Sequence, residues 1–348
     1  MEGILPTLWF VLIAVLWTGY LFLEGFDLGV GMRVLFSART DTDRRVMLNT
    51  IGPVWDGNEV WLITAVGATF AAFPFWYASL VSTLYVPFVV VLLGLIFRAV
   101  AIEYRGKGHT ARWTRGWDAA LGIGSLVAAF GVGAALGLTT TGLPIDANGD
   151  GTGGPFGWFN VWAVIGGLAV VGFCLAHSAS FLGLKADGNV RLRSRSFAVR
   201  LSPLALLPMI AWMLGVQLMH GKSFGWLIVA SAIVLAGWGW LSARRGREGR
   251  TFVGFGLFLV LTVASIFVNV YPNVLPSTID AAYDLTVSNA SSSPYTLGVM
   301  SVVAAFGVPL VLAYQGWTYW VFRKRIRGAS IPPVRPVEPA VREQASRP

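Results

Sequence analysis

Nine apolar stretches, each roughly 20 residues or more and so able to cross about 30 Å of hydrocarbon, constrain this chain more than any other feature of its sequence. They run over approximately 6–35, 55–73, 76–104, 116–138, 158–183, 200–219, 224–242, 252–274 and 295–322. The expected fold is an all-α polytopic membrane protein of about nine transmembrane helices, arranged as two four-helix bundles plus one peripheral helix. A mean hydropathy of +0.66 with only 12% charged residues excludes a soluble domain of 348 residues. Fifteen tryptophans suit two interfacial aromatic belts.

The net charge of +9 could suggest a nucleic-acid partner, but the basic residues sit in short loops between spans, so no nucleic acid is expected. One set of loops carries Arg33, Arg39, Arg44 and Arg45, then Arg105 to Arg115, Lys185 to Arg200, Arg244 to Arg250, and the tail from Arg323; the other set carries Lys222 alone. The positive-inside rule then puts the N-terminus outside and the C-terminus in the cytoplasm. The first span reads as retained rather than as a cleaved signal. Residues 1–328 are expected to form a single transmembrane domain, and the proline-rich residues 329–348 a disordered cytoplasmic tail. The long outer loops, 139–157 and 275–294, read as irregular surface connections. Cys174 is the single cysteine, so neither an intramolecular disulfide nor a cysteine metal cluster can form.

Ionisable groups within membrane spans are costly and commonly mark a proton, ion or substrate path. Three stretches carry them: Glu24-Gly25-Phe26-Asp27, Trp55-Asp56-Gly57-Asn58-Glu59, and Arg98 with Glu103. Counting about 1.5 Å per residue, Asp27 lies roughly 9 Å inside Arg33, and Arg98 roughly 10 Å inside Arg105. All three stretches therefore belong to the cytoplasmic third of the membrane, a placement suited to taking protons from the cytoplasm. Gly25, Gly29 and Gly31 would let another backbone approach closely. Bland readings stand beside these. Asp56 and Glu59 also fit a capping box, and Glu24, Asp27 and Glu103 fit snorkelling or ion-pairing near the interface. The spacing of Arg98 and Glu103 does not put them on one helix face.

His177, in the fifth span, can be read as a haem ligand or as a histidine bonded to a neighbouring helix. His109 and His220 read as solvated loop residues. Asp146, Asn148 and Asp150 follow the first half of a calcium loop, but Gly157 stands where the bidentate glutamate belongs, leaving a Gly/Asp turn as the other reading.

The run Gly25-Phe26-Asp27-Leu28-Gly29-Val30-Gly31, then Ile51-Gly52-Pro53-Val54-Trp55-Asp56-Gly57-Asn58-Glu59-Val60-Trp61, Phe70 to Pro74, and Arg98 with Glu103-Tyr104-Arg105, closely resembles subunit II of the cytochrome bd quinol oxidases. The match is dense over residues 20–117 and extends to Tyr271-Pro272 and Leu275-Pro276-Ser277. The resemblance implies a nine-helix subunit paired with a similarly folded subunit I, in a complex of the bacterial cytoplasmic membrane that oxidises quinol and reduces O2 to water. It implies two b haems and haem d, all ligated by subunit I, with a structural quinone in some members and a small accessory subunit as a further partner. It also makes Asp56, with Trp55, Asp27, Arg98 and Glu103, the candidates for a proton route from the cytoplasm. At the position of Glu103 some members carry aspartate, and at that of Glu59 glutamine also occurs. The sequence does not fix which quinol is used; the Ala/Val/Gly/Arg-rich composition hints at a high-GC bacterium, where menaquinol is the expected one. Two other readings use the same carboxylates differently: a proton-coupled secondary transporter, for which no inverted repeat is evident, and a purely structural partner subunit.

Overall fold

A computed structural model of the chain describes residues 3–108 and 110–331. Its helices are α1 (Ile4–Phe36), α2 (Asp41–Ile51), α3 (Trp55–Ala72), α4 (Pro74–Thr83), α5 (Tyr85–Tyr104), α6 (Ala111–Thr141), α7 (Val161–Lys185), α8 (Gly188–Arg200), α9 (Ser202–His220), α10 (Gly225–Arg244), α11 (Glu248–Val270) and α12 (Pro294–Val321). Eight of these are long and apolar enough to cross a membrane, and the bent pair α3 and α4 supplies a ninth crossing if taken as one span. Helices α1, α3, α5 and α6 form one bundle and α7, α9, α10 and α11 a second, joined where α1 and α6 pack on α7. Helix α12 is peripheral: Leu297 is its one fully buried residue.

These helices are apolar on every side, so hydrophobicity does not select the buried face; small residues do. A Cβ on Gly29 of α1 would overlap the Cys174 carbonyl of α7, one on Gly133 of α6 the Gly166 carbonyl of α7, and one on Gly172 of α7 the Ala205 carbonyl of α9. Gly25 and Gly31 likewise face Phe173 and Ser125. The backbone approach expected of the first span is present.

The third predicted span, 76–104, is not one helix. α3 ends at Ala72, and the chain turns by 119° into the short α4 before α5 begins at Tyr85. Pro74 has no N–H to continue α3 and holds Phe73 out of the helical region, at φ −134° and ψ 68°. The basic loops after α1 and α7 contain the helices α2 and α8. The two long loops at the opposite end, 139–157 and 275–294, are more ordered than expected. β1 (Asn273–Leu275) pairs antiparallel with β2 (Leu285–Thr286). Leu143 donates its N–H to Pro276 O at 3.1 Å and accepts from Thr278 N at 2.9 Å, so the two long loops clasp each other over buried Leu143, Ile145, Val274 and Leu275. Gly328–Ser330 form a short 3₁₀ turn, and the rest of the predicted tail, 332–348, lies outside the described residues.

At the end bearing the basic loops, α2 is clamped in place. Thr40 and Asp43 close a capping box, and Arg193 of α8 donates to Asp43 Oδ2 at 2.6 Å. Across the other side, Arg105 pairs with Asp118 at 2.5 Å and with Asp41 at 2.7 Å. Burial pushes the Asp43 carboxyl up, but the Arg39 N–H, the Arg193 guanidinium and the Thr40 N–H outweigh it and hold the group below the usual carboxylate range. A depressed folded value stabilises above the unfolded value of about 3.9 and is lost as pH falls through the folded one. Limited proteolysis between α1 and α3 should therefore accelerate only below about pH 4, and Asp43→Asn should remove that dependence.

Candidate functional site

The first bundle buries a charged cluster about two turns from the basic end. Glu24 and Asp27, three apart on α1, are fully buried, as is Arg98 of α5. Arg98 Nη2 lies 2.6 Å from Glu24 Oε1, a charge-to-charge contact too bent to count as a hydrogen bond, and Nη1 donates to Glu59 Oε2 of α3 at 3.2 Å. Beside this pair, Asn58 Nδ2 donates to Asp27 Oδ2 at 2.6 Å and accepts through Oδ1 from the Tyr319 hydroxyl of α12 at 2.7 Å. Gln315, one turn before Tyr319, donates to the same Asn58 oxygen at 3.2 Å and accepts from Trp61 Nε1 at 2.9 Å. Two carboxyls therefore meet one guanidinium, and hydrogen bonds from Tyr319 to Asn58 and from Asn58 to Asp27 bring a third carboxyl beside them.

Of the predicted residues, Glu24, Asp27, Glu59 and Arg98 come together; Asp56, Trp55 and Glu103 do not join them. Asp56 is exposed and has no side-chain partner among the described residues, and the capping box also fails, because Val54 is the N-cap with no side-chain bond. Successive helical residues are about 100° apart, so with Asn58 turned inward Asp56 points roughly 200° away. Trp55 is half-buried at the start of α3. Glu103 is exposed, since five residues carry it about 140° round α5 from Arg98. Sequence reasoning gave no role to Asn58 and passed over Gln315 and Tyr319. A polar pair at i and i+4 on the otherwise apolar α12 was the available signal.

The haem-ligand reading of His177 fails on geometry. The ring is stacked between Phe252 at 4.5 Å and Phe173 at 5.0 Å, with Phe22 at 5.0 Å on its edge, and these rings close off any space for a macrocycle. His220 is the last residue of α9 and half-buried rather than solvated, and His109 lies outside the described residues. The haems implied by the resemblance therefore find no fitting ligand set among the described residues. The calcium reading fails too: Asp146 Oδ1 accepts the N–H groups of Asn148 and Asp150, a local turn. No group of three or more His, Cys, Asp or Glu side chains placed to hold a metal ion occurs among the described residues.

A cavity of about 800 Å³ lies between α1, α11 and α12. Its walls are apolar, with Phe10, Phe22 and Phe267 among them; Lys222 and Tyr271 close one end and Trp61, Gln315 and Tyr319 the other. Lys222, the one basic residue in the loops opposite the basic end, donates to the Val268 and Tyr271 carbonyls where α11 ends. Outside the cavity, α3, α5 and α12 present large apolar side chains outward, including Ile63, Leu92, Ile96 and Phe306.

Residues 5–322 match the family model described as cytochrome bd terminal oxidase subunit II. The chain is 41% identical to the cytochrome bd ubiquinol oxidase subunit 2 of Bacillus subtilis (strain 168), over 92% of this chain and 97% of the relative. It is 34% identical to the cytochrome bd-I ubiquinol oxidase subunit 2 of Escherichia coli (strain K12), over 93% and 95%. In fold it resembles a chain in the solved structure of the bd oxidase from Geobacillus thermodenitrificans, with a TM-score of 0.73, 19% identity, and coverage of 92% and 99%. This multi-pass membrane chain therefore belongs to the cytochrome bd terminal oxidase subunit II family.

Proposed function

We propose that this chain pairs with a haem-bearing subunit I in a bacterial cytoplasmic membrane, and that it supplies a proton route for a complex that oxidises quinol and reduces O2 to water. The two b haems and haem d belong to subunit I in this reading, in keeping with the enclosed His177. The observation that carries the reading is the buried cluster itself: Glu24 and Glu59 on Arg98, with Asp27 beside them, its carboxylate held in place by the Asn58 amide. A cluster with more carboxyls than cations can hold an exchangeable proton among its oxygens, and its burial shields it from bulk water. With the basic end read as cytoplasmic, protons drawn through this end and electrons released from quinol near the opposite face would charge the membrane without a pump.

Asp56 stands one turn before Glu59 on the uncovered side of α3, where the outward apolar surface of α3, α5 and α12 suits a partner subunit. In the assembled complex it would lie at the interface, bordering the route from outside the bundle, with Trp55 beside it and Glu103 on the same uncovered side. The apolar cavity would hold the long isoprenoid tail of a structural quinone, menaquinone in a menaquinol-using bacterium. Residues 1–328 act as one transmembrane domain. The transporter reading loses ground to the family membership; the purely structural reading is separated by activity.

Quinol-driven oxygen consumption of the two-subunit complex, normalised to haem content, is expected to fall about tenfold or more in Asp56→Asn, because amide cannot pass a proton on. Undiminished turnover at full haem content in both Asp56→Asn and Asp27→Asn would leave this chain a scaffold.

A further inference from the structure

The basic end holds a second cavity, of about 220 Å³, between the end of α2, the end of α7 and the segment that follows α12. Lys185, Lys324 and Arg325 line it together with Asn49 and Thr50, and no carboxylate does. These cations are not on a free tail. Ile326 donates its N–H to Lys185 O at 2.8 Å, and Asp187 donates to Ile326 O at 3.1 Å, so the segment after α12 is strapped to the end of α7. Lys185 Nζ donates to the Phe322 carbonyl, which leaves the ammonium charge uncompensated. Arg325 reaches Glu248 only at 3.8 Å, and Arg191 already holds that carboxylate at 2.8 Å. Lys324 has no ion-pair partner among the described residues.

Three cations held round a concave space without a lining carboxylate favour an anion, and ammonium and guanidinium groups both match phosphate oxygens. The cavity also has an apolar side, Val54, Val321 and Phe322, continuous with the outward surface of α12. Basic pockets between spans at this level take anionic lipid headgroups. A soluble anion has no use for that apolar wall; an acyl chain does. We propose that this cavity binds the phosphate of an anionic phospholipid from the leaflet on the basic side, through Lys185, Lys324 and Arg325. The site stands on the membrane assignment alone and does not depend on the proton route.

The test is native mass spectrometry of the delipidated two-subunit complex titrated with phosphatidylglycerol, with phosphatidylcholine and inorganic phosphate as separate arms. Apparent affinity for phosphatidylglycerol should drop about tenfold, ~1.4 kcal/mol, in Lys185→Gln/Lys324→Gln/Arg325→Gln, and return in Lys185→Arg/Lys324→Arg, which retains the charges. Unchanged haem spectra in these variants would report intact assembly. A triple variant that titrates like its parent overturns the site. Displacement by inorganic phosphate, with no preference for phosphatidylglycerol over phosphatidylcholine, overturns the lipid as its source.

Discussion

The complex carrying Arg98→Met is expected to accumulate poorly and to melt far below its parent. Arg98 is fully buried and is the only cation contacting Glu24 and Glu59 among the described residues. Methionine fills much of the volume but leaves two carboxylates without a counter-charge, one of them wholly enclosed. Removing one partner of a buried ion pair costs about 3–5 kcal/mol, against a total stability of order 10 kcal/mol for an ordinary domain. The double variant Arg98→Met/Glu24→Gln should recover part of the loss, because the enclosed Glu24 is then no longer a charge to be compensated. The measurement is haem content per unit of membrane protein, followed by a thermal scan of the purified complex. Equal melting of single variant and parent would mean that the cluster is not held by this pair.

Gly29→Val is expected to separate the two bundles. Its Cβ would fall on the Cys174 carbonyl and crowd the Ser178 hydroxyl, so α1 and α7 could not keep their present distance. Helices in lipid gain little from burying apolar surface and depend on close packing, and overpacking a tight contact costs about 1–3 kcal/mol, more where backbone is struck. Displacing α1 also carries Glu24 and Asp27 away from Arg98 and Asn58, so activity per haem should fall along with stability. Gly237→Ala on α10 is the control: nothing lies within 4 Å of its added Cβ, and replacing glycine by alanine in a helix gains about 0.5–1 kcal/mol. If Gly29→Val melted like Gly237→Ala, the contact between α1 and α7 would not hold the bundles together.

Much of this was legible in the residues. The apolar runs identify the spans, since hydrocarbon leaves the backbone no alternative to helix, and the three polar stretches identify the part of the bundle where charge is buried. What failed did so for identifiable reasons. Pro74 falls where the 55–73 and 76–104 stretches part, but hydropathy runs straight through Leu84, so the break between α4 and α5 was hidden inside a stretch read as one span. Asp56 and Glu59 were grouped in one polar stretch, yet which of them meets the cluster is set by which residue turns inward, and Asn58 does. Glu103 and Arg98 were correctly kept apart as a pair, but Arg98 finds Glu24 and Glu59, 74 and 39 residues away in sequence. For His177 only Phe173, one turn before it on α7, is a local neighbour; Phe22 and Phe252, which complete the enclosure, come from α1 and α11.

The division is a physical one. Hydropathy, basic-loop bias and helical spacing are local, so the residues alone determine that the chain spans a membrane, roughly where each helix lies, and which end gathers the charge. Rotation of each helix about its axis is not local. In helices apolar on all sides it depends on which glycines meet which carbonyls, and only the packed structure decides it. That rotation brings Asn58, Gln315 and Tyr319 to Asp27, turns Asp56 and Glu103 outward, and seals His177 among phenylalanine rings.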